Sequence, residues 1–217
     1  KVRPKLIKHL KEGKTIALVS DAGTPLISDP GYKLVLACIK EKIPITPIPG
    51  PSSVLTSLMI SGLPIDQFFF AGFLSSKATA RKKALRSLAN IPATLVIMES
   101  AKRISKSLTD MAEILGPRPT LVARELTKLF EELKNGLLPD LASHYKLEGP
   151  PKGEITIVIG PPLKKLISDK ELNNQLLRAL QNNSVRDATN LVCKESNLPR
   201  RKVYTHALKL KKLNNGS

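Results

Sequence analysis

The chain has 217 residues, and its 35 Lys and Arg against 18 Asp and Glu give a formal net charge of +17. A hydrophobic content of 41% excludes a disordered chain, two cysteines exclude a disulfide scaffold or a Cys-rich zinc module, and the length allows one large domain or two small ones. The charge points to a polyanionic partner, nucleic acid ahead of an anionic membrane surface, since no apolar run approaches the roughly 20 residues of a membrane span.

Lys1–Gly13 is a basic amphipathic stretch, helical in pattern, with no signal-peptide core. Thr15–Ser20 is an apolar run of strand length, followed by a glycine-rich loop over Asp21–Ser28. Asp29-Pro30 reads as an N-cap with Pro at the first helical position, opening a helix to about Lys42. Cys38 lies in that apolar helix as a buried, inert thiol; it and Cys193 read as reduced thiols of a cytoplasmic protein. Ile43–Ile48 reads as a strand. The turn Pro49-Gly50-Pro51 leads into a helix that starts at Ser52 or Ser53 and stops at Gly62. Then come a strand-like Gln67–Phe73, a basic helix Thr79–Ala89, a strand Thr94–Met98 and a helix Ile104–Leu115 stopped by Gly116-Pro117. A strand Thr120–Arg124, a helix Leu137–Tyr145 and a last strand Ile155–Ile159 complete this part. The alternation predicts an α/β fold with largely parallel pairing, in two lobes over residues 1–74 and 75–162.

Beyond Pro162 the character changes. Leu163–Ser217 has no strand signal and carries 12 Lys and Arg against 4 Asp and Glu, so it supplies +8 of the net charge. Helices are expected over Asp169–Gln181, Ser184–Glu195 (capped by Ser184) and Pro199–Lys212. The last two have helix–turn–helix-like spacing, with Arg200, Arg201, Lys202 and Tyr204 opening a basic second helix. Basic residues at a helix N-terminus oppose its dipole. The residues leave two readings open, nucleic-acid contact or a solvated helical cap.

Five polar or glycine-rich segments fall beside strand ends, where open α/β sheets bind ligands. They are the loop Val19–Gly31, the turn Pro49–Ser53, Met98-Glu99-Ser100, Ala123–Lys128 and Lys152-Gly153-Glu154. The first is neither GxGxxG nor a Walker A loop, so the usual dinucleotide and nucleoside-triphosphate readings fail. Taken singly, each reads equally as a turn, an N-cap, core packing or an ion pair.

The stretches VSDAGTPLISDPGY, PIPGPSSVLTSLMISGLP, LVIMES, ARELTK and PPKGEITIVIG occur in this order and spacing. They closely resemble the bacterial ribosomal RNA small-subunit methyltransferase I family of the tetrapyrrole-methylase-like superfamily, the class III methyltransferases. The resemblance covers about residues 5–162, and more loosely the basic tail. It implies a two-lobed α/β class III methyltransferase fold with a small helical C-terminal extension. It implies S-adenosylmethionine as cofactor, no metal, and methyl transfer to the ribose 2′-hydroxyl of a cytidine in 16S ribosomal RNA. It further implies a cytoplasmic homodimer acting on the small ribosomal subunit, with no membrane association. Carried over by motif, Asp21, Ala22, Gly23, Thr24, Ser52, Ser53, Met98, Ala123, Arg124 and Gly153 would bind the cofactor.

A ribose hydroxyl is a weak nucleophile, so an acceptor should assist it. Glu99, Glu125 and Asp21 are the candidates, with Arg103, Arg124 and Lys128 to hold the phosphodiester. The family's Pro-His-Arg is Ala101-Lys102-Arg103 here, and a first strand with a Gly-Asn-Leu turn and a Glu-Asp-Thr-Arg motif is not found, so a shortened first lobe is expected. Two other readings share the fold: a methylase of a small tetrapyrrole-like substrate and a non-catalytic RNA-binding protein. Salt-sensitive RNA binding separates out the former, and cofactor binding the latter.

Overall fold

A computed structural model describes residues 2–163, 169–196 and 198–214. The chain divides into two compact units, Lys1–Pro162 and Leu163–Ser217. The first opens with helices α1 (Arg3–Lys11), α2 (Tyr32–Lys40) and α3 (Ser53–Ile60). Strand β1 (Phe68–Phe73), α4 (Ala78–Leu88), β2 (Thr94–Ser100), α5 (Ile104–Leu115), β3 (Pro119–Arg124), β4 (Glu132–Leu137), α6 (Leu138–Glu148) and β5 (Glu154–Ile159) follow.

The five strands form one sheet in the order β1-β2-β5-β3-β4. Only β1 and β2 pair in parallel; β5 runs antiparallel to both β2 and β3, and β4 antiparallel to β3. The expected parallel pairing is thus corrected. The short connections explain it: β3 leads to β4 through only seven residues, too few for the crossover that a parallel neighbour needs.

Side chains alternate across the sheet with period two. Leu95, Ile97, Val122, Ile155, Ile157 and Ile159 enter a core shared with α4, α5 and α6. In α5, Ile104, Leu108, Met111 and Leu115 recur at helical spacing and are all buried. Each such side chain contributes about 1.5–3 kcal/mol on burial. On the opposite face Val96, Leu121, Ala123 and Val158 meet Val54 and Leu58 of α3. A buried ion pair pins α4 to α5: Arg81 donates to Asp110 at 2.7 Å through Nε and reaches it at 2.5 Å through Nη2. Arg81 Nη1 also donates to the carbonyls of Ser75 and Ser76, fixing the entry to α4.

Two expected strands are not strands. Thr15–Ser20 and Ile43–Ile48 carry no ladder pairing among the described residues, and most of their apolar side chains stay exposed, with Val19 at 81% and Ile48 at 80%. An apolar run becomes a strand only where a neighbour takes its backbone groups. Conversely, β4 reads Glu-Leu-Lys-Asn-Gly-Leu, with no β-branched residue, and was not expected. Its pairing to β3 makes it a strand, and α6 begins at Leu138, behind that strand. The second helix also starts later than expected. Gly31, at φ 140°, precedes its first residue, Tyr32, and no side chain caps it. Asp29 instead accepts from Ser20 Oγ at 2.5 Å, which closes the base of the loop. Gly31 has to be glycine here: a Cβ would lie 3.0 Å from Leu18 Cδ2 and 3.1 Å from Leu26 Cγ. Ser52 does cap α3, accepting from Leu55 N at 3.4 Å, and Cys38 is buried.

The second unit holds α7 (Asp169–Leu180), α8 (Val185–Ser196) and α9 (Arg200–Asn214), matching the expected helices to within two residues. Leu172, Leu176, Val192, Val203 and Ala207 form its own core. Ser184 Oγ accepts from Asp187 N at 3.2 Å, as its N-cap role requires.

Candidate functional site

One end of the sheet gathers the polar segments. The register sets Met98 of β2, Thr156 of β5 and Ala123 of β3 side by side, and Glu154 opposite Ser100. Met98 and Ala123 share the face covered by α3. Leu63, just past α3, lies at the far end, beside Gly160. The N-terminus of α3, with Ser52 and Ser53, therefore points toward Met98 and Ala123. Thr24 Oγ1 donates to the Pro51 carbonyl at 2.8 Å, tying the glycine-rich loop to the turn before α3. A Cβ on Gly72, which pairs with Ile97, would sit 3.5 Å from Ser28 Oγ, so the loop reaches the same end of the sheet. Within it Leu26 (φ 70°) and Ser28 (φ 60°) hold left-handed conformations unusual for side-chain-bearing residues. Such strain concentrates at ligand-binding turns.

The loop between β3 and β4 is held by charge. Glu125 Oε1 accepts from Glu154 N at 2.8 Å and from Lys128 Nζ at 3.0 Å. Lys128 also bonds Glu154 Oε2 at 3.0 Å. The Glu154 amide, aided by Lys128, holds the Glu125 carboxyl below the usual carboxylate range, and the two carboxylates raise Lys128. Gly153 (φ 100°) makes room for this arrangement, since a Cβ there would fall 2.5 Å from Glu125 Oε1. Arg124 pairs with Glu132 at 2.8 Å rather than with adjacent Glu125, and donates to the Lys152 carbonyl at 3.1 Å. Burial raises the Glu132 carboxyl, but Arg124 and Lys134 outweigh it and leave it lowered.

Glu99 is placed differently. It follows Leu95 and Ile97 on the α4–α6 face, opposite to Met98, and is 2% exposed. Its Oε1 accepts from Ser100 N at 2.7 Å and from Arg103 Nε at 2.8 Å, and Oε2 accepts from Ser107 Oγ at 2.5 Å. Arg103 in turn reaches the Leu74 carbonyl at 3.4 Å. Both residues are thus committed to joining β2, α5 and the segment after β1. Asp21, Ala22 and Gly23 are exposed. Among the three candidate acceptors only the Asp21 carboxylate has no hydrogen-bond partner among the described residues.

The structure therefore brings Thr24, Ser52, Ser53, Met98, Ala123, Arg124, Gly153, Glu125 and Lys128 to one end of the sheet, and turns Glu99 and Arg103 away. Thr156, 5% exposed between Met98 and Ala123, was missed by the sequence reading. The alternation in Glu-Ile-Thr-Ile-Val-Ile was the available signal: it puts Thr156 opposite Ile155 and Ile157. A shallow cavity of 340 Å³ opens between the end of α3 and the start of β3, at the other end of the sheet. None of its lining side chains is ionisable, and it is remote from this cluster.

Small and polar groups ranged along one end of an α/β sheet, near a helix N-terminus, mark the place where such sheets bind ligands. The chain belongs to the tetrapyrrole (corrin/porphyrin) methylase family, whose model matches residues 1–142. Within that class it belongs with the ribosomal RNA small subunit methyltransferase I proteins. It is 44% identical over 209 residues to the one from Mesorhizobium japonicum, covering 96% of this chain and 71% of that protein. It is 41% identical to those of Micromonospora olivasterospora and Synechocystis, covering 92% and 94% of this chain. The chain spans 64% of the Micromonospora protein and 75% of the Synechocystis one. Solved structures agree on the fold. The methyltransferase CobJ superposes with a TM-score of 0.56 at 17% identity, over 73% of this chain and 70% of that one. Uroporphyrin-III-C-methyltransferase from Thermus thermophilus gives 0.53 at 22%, over 73% and 70%.

Proposed function

We propose that the chain carries the S-adenosylmethionine site of a ribosomal RNA methyltransferase and methylates a cytidine ribose 2′-hydroxyl in the small-subunit RNA. The observation that carries this reading is the convergence of Thr24, the Ser52-Ser53 helix start, Met98, Ala123-Arg124 and Gly153 at one end of the sheet. These residues fit such a cofactor. Met98, partly exposed at the end of the face that α3 covers, offers an apolar contact for a flat ring, with the buried Thr156 and Ala123 behind it. The N-terminus of α3 and the loop amides supply donors for the polar parts. Bound there, the cofactor supplies an already activated methyl group.

What remains for the chain is alignment and removal of one proton. The cofactor would give its methyl to the ribose oxygen and leave as a neutral thioether, and the hydroxyl proton would pass to an acceptor on the chain. Asp21 takes that role in this reading, because Glu125 is occupied by Lys128 and the Glu154 amide, and Glu99 faces the other way. Glu99 and Arg103 act as positioning residues that fix the end of β2 under Met98. Lys128 and Arg124 line the rim on which a phosphodiester would rest. A partner copy of the chain completes the assembly in the same reading.

The test is calorimetric titration with S-adenosylmethionine, followed by methyl transfer to small subunits lacking the modification. The expected result is a Kd near the micromolar range (about −8 kcal/mol), weakened at least tenfold in Met98→Ala, which removes the partly exposed apolar contact. Asp21→Asn should keep binding and lose transfer. No binding by a folded, monodisperse chain would sink the assignment. Full transfer by Asp21→Asn would remove Asp21 from its role.

A further inference from the structure

The three-helix unit is not used by the methyl-transfer reading, and it has a surface of its own. Val203, Ala207 and Leu210 face its core, so a turn of 100° per residue sets Arg201, Thr205 and Leu208 outward, with Tyr204 and Lys209 on opposite flanks. All five are exposed, Tyr204 at 42% and Leu208 at 39%. Helix α9 carries no acidic residue in Arg-Arg-Lys-Val-Tyr-Thr-His-Ala-Leu-Lys-Leu-Lys-Lys-Leu-Asn. The remaining polar groups near its start are spent on the bundle. Arg200 Nε donates to Asn190 Oδ1 at 3.2 Å, Lys202 pairs with Asp169 at 3.2 Å, and His206 meets Asn173 Oδ1 at 3.1 Å. Among the described residues Arg201, Lys209 and Lys211 have no ion-pair partner. Arg201 sits in the first turn, where it opposes the helix dipole. Helix stability therefore does not account for this face.

We propose that the outward face of α9, which carries Tyr204 and Leu208 on one side of Arg201 and Lys209 on the other, is an RNA anchor. Uncompensated cations suit phosphodiester oxygens, and an exposed tyrosine beside Arg201 suits an unpaired base. A membrane surface would call for a wider apolar stripe than Tyr204 and Leu208 provide. The groove of an A-form helix does not admit a recognition helix. The anchor therefore lies along the backbone with Tyr204 against an unstacked base, and does not read a duplex. The identity of the polyanion as RNA rests on the proposed function; the face itself does not.

The experiment uses the whole chain, a fluorescent transcript of the unmodified small-subunit decoding-region stem–loop, and anisotropy across a salt series. In the Arg201→Glu/Lys209→Glu variant, Kd should rise at least tenfold at about 100 mM salt. The slope of log K against log salt should shrink by about 1.4, or about 0.7 for each lost phosphate contact on a single strand. Tyr204→Ala should weaken binding several-fold and leave the slope unchanged. Glutamate at position 201 favours the helix N-terminus, so the fold should tolerate it. Should it not, Arg201→Gln/Lys209→Gln removes the same charges and carries the same expectation. Unchanged Kd and slope would overturn the anchor. So would equal parental affinity for a DNA duplex of the same length, or for polyglutamate, the latter marking a face for an acidic protein. S-adenosylmethionine titrations on the same variants should match the parent. If the parent binds no cofactor yet the RNA loss persists, the methyltransferase reading falls and the anchor stands.

Discussion

Residues 2–52 and residues 68–160 contain similar proportions of apolar residues and use them differently. In the first region Cys38 alone is buried, while Val19, Tyr32, Ile39 and Ile48 lie more than half exposed. In the second, every strand of the sheet is paired, and Leu85, Leu95, Ile97, Leu108, Met111 and Ile157 are fully buried. The difference is one of partners. Hydrophobicity favours burial, but a strand needs a neighbour for its amides and carbonyls before its side chains can share a face. The candidate site lies where the two regions meet: the second supplies the rigid end of the sheet, and the first supplies the strained loop beside it, tied by Thr24 to the turn before α3.

The sharpest way to break this contrast is Asp110→Ala. It leaves the Arg81 guanidinium buried without its carboxylate and should cost about 3–5 kcal/mol in chemical denaturation. A small loss would mean that the α4–α5 packing is looser than the rest of the core. Ile97→Ala should cost about 2–5 kcal/mol by the same measurement, whereas Ile48→Ala should stay within about 0.5 kcal/mol. Equal losses at the two positions would show that the first region carries a core of its own.

Alkaline pH probes the second region alone. Tyr145 is buried with no hydrogen-bond partner for its hydroxyl, and burial pushes its pKa from 10.0 up to about 12. The folded state favours the neutral phenol. This contribution to stability is therefore present in full below pH 10 and is lost as the pH rises through 12. The change is of the order of 2 kcal/mol, and it should vanish in Tyr145→Phe when stability is followed against pH. The smallest effect expected is at the junction. Ser52→Ala removes the 3.4 Å cap of α3 and should cost up to about 1 kcal/mol, together with a measurable loss of cofactor affinity. A loss of stability alone would assign Ser52 to the helix and not to the ligand.

Much of this protein was legible in its order of residues. Local rules located α3 and its Ser52 cap, α5 between Ile104 and Leu115, the three helices of the second unit and the five segments that carry the family's signature, because caps, helical spacing and turn residues act within a few positions. Pairing was not legible. Whether Thr15–Ser20 becomes a strand depends on a neighbour distant in sequence, and β4, with no strand-forming residue except through its contact with β3, depends on one equally. The same holds at the site. Sequence alone marked Glu99 as a candidate acceptor and passed over Thr156. The register of β2, β5 and β3 then decided which side chain faced the helix start and which faced the core, since one step along a strand reverses the face.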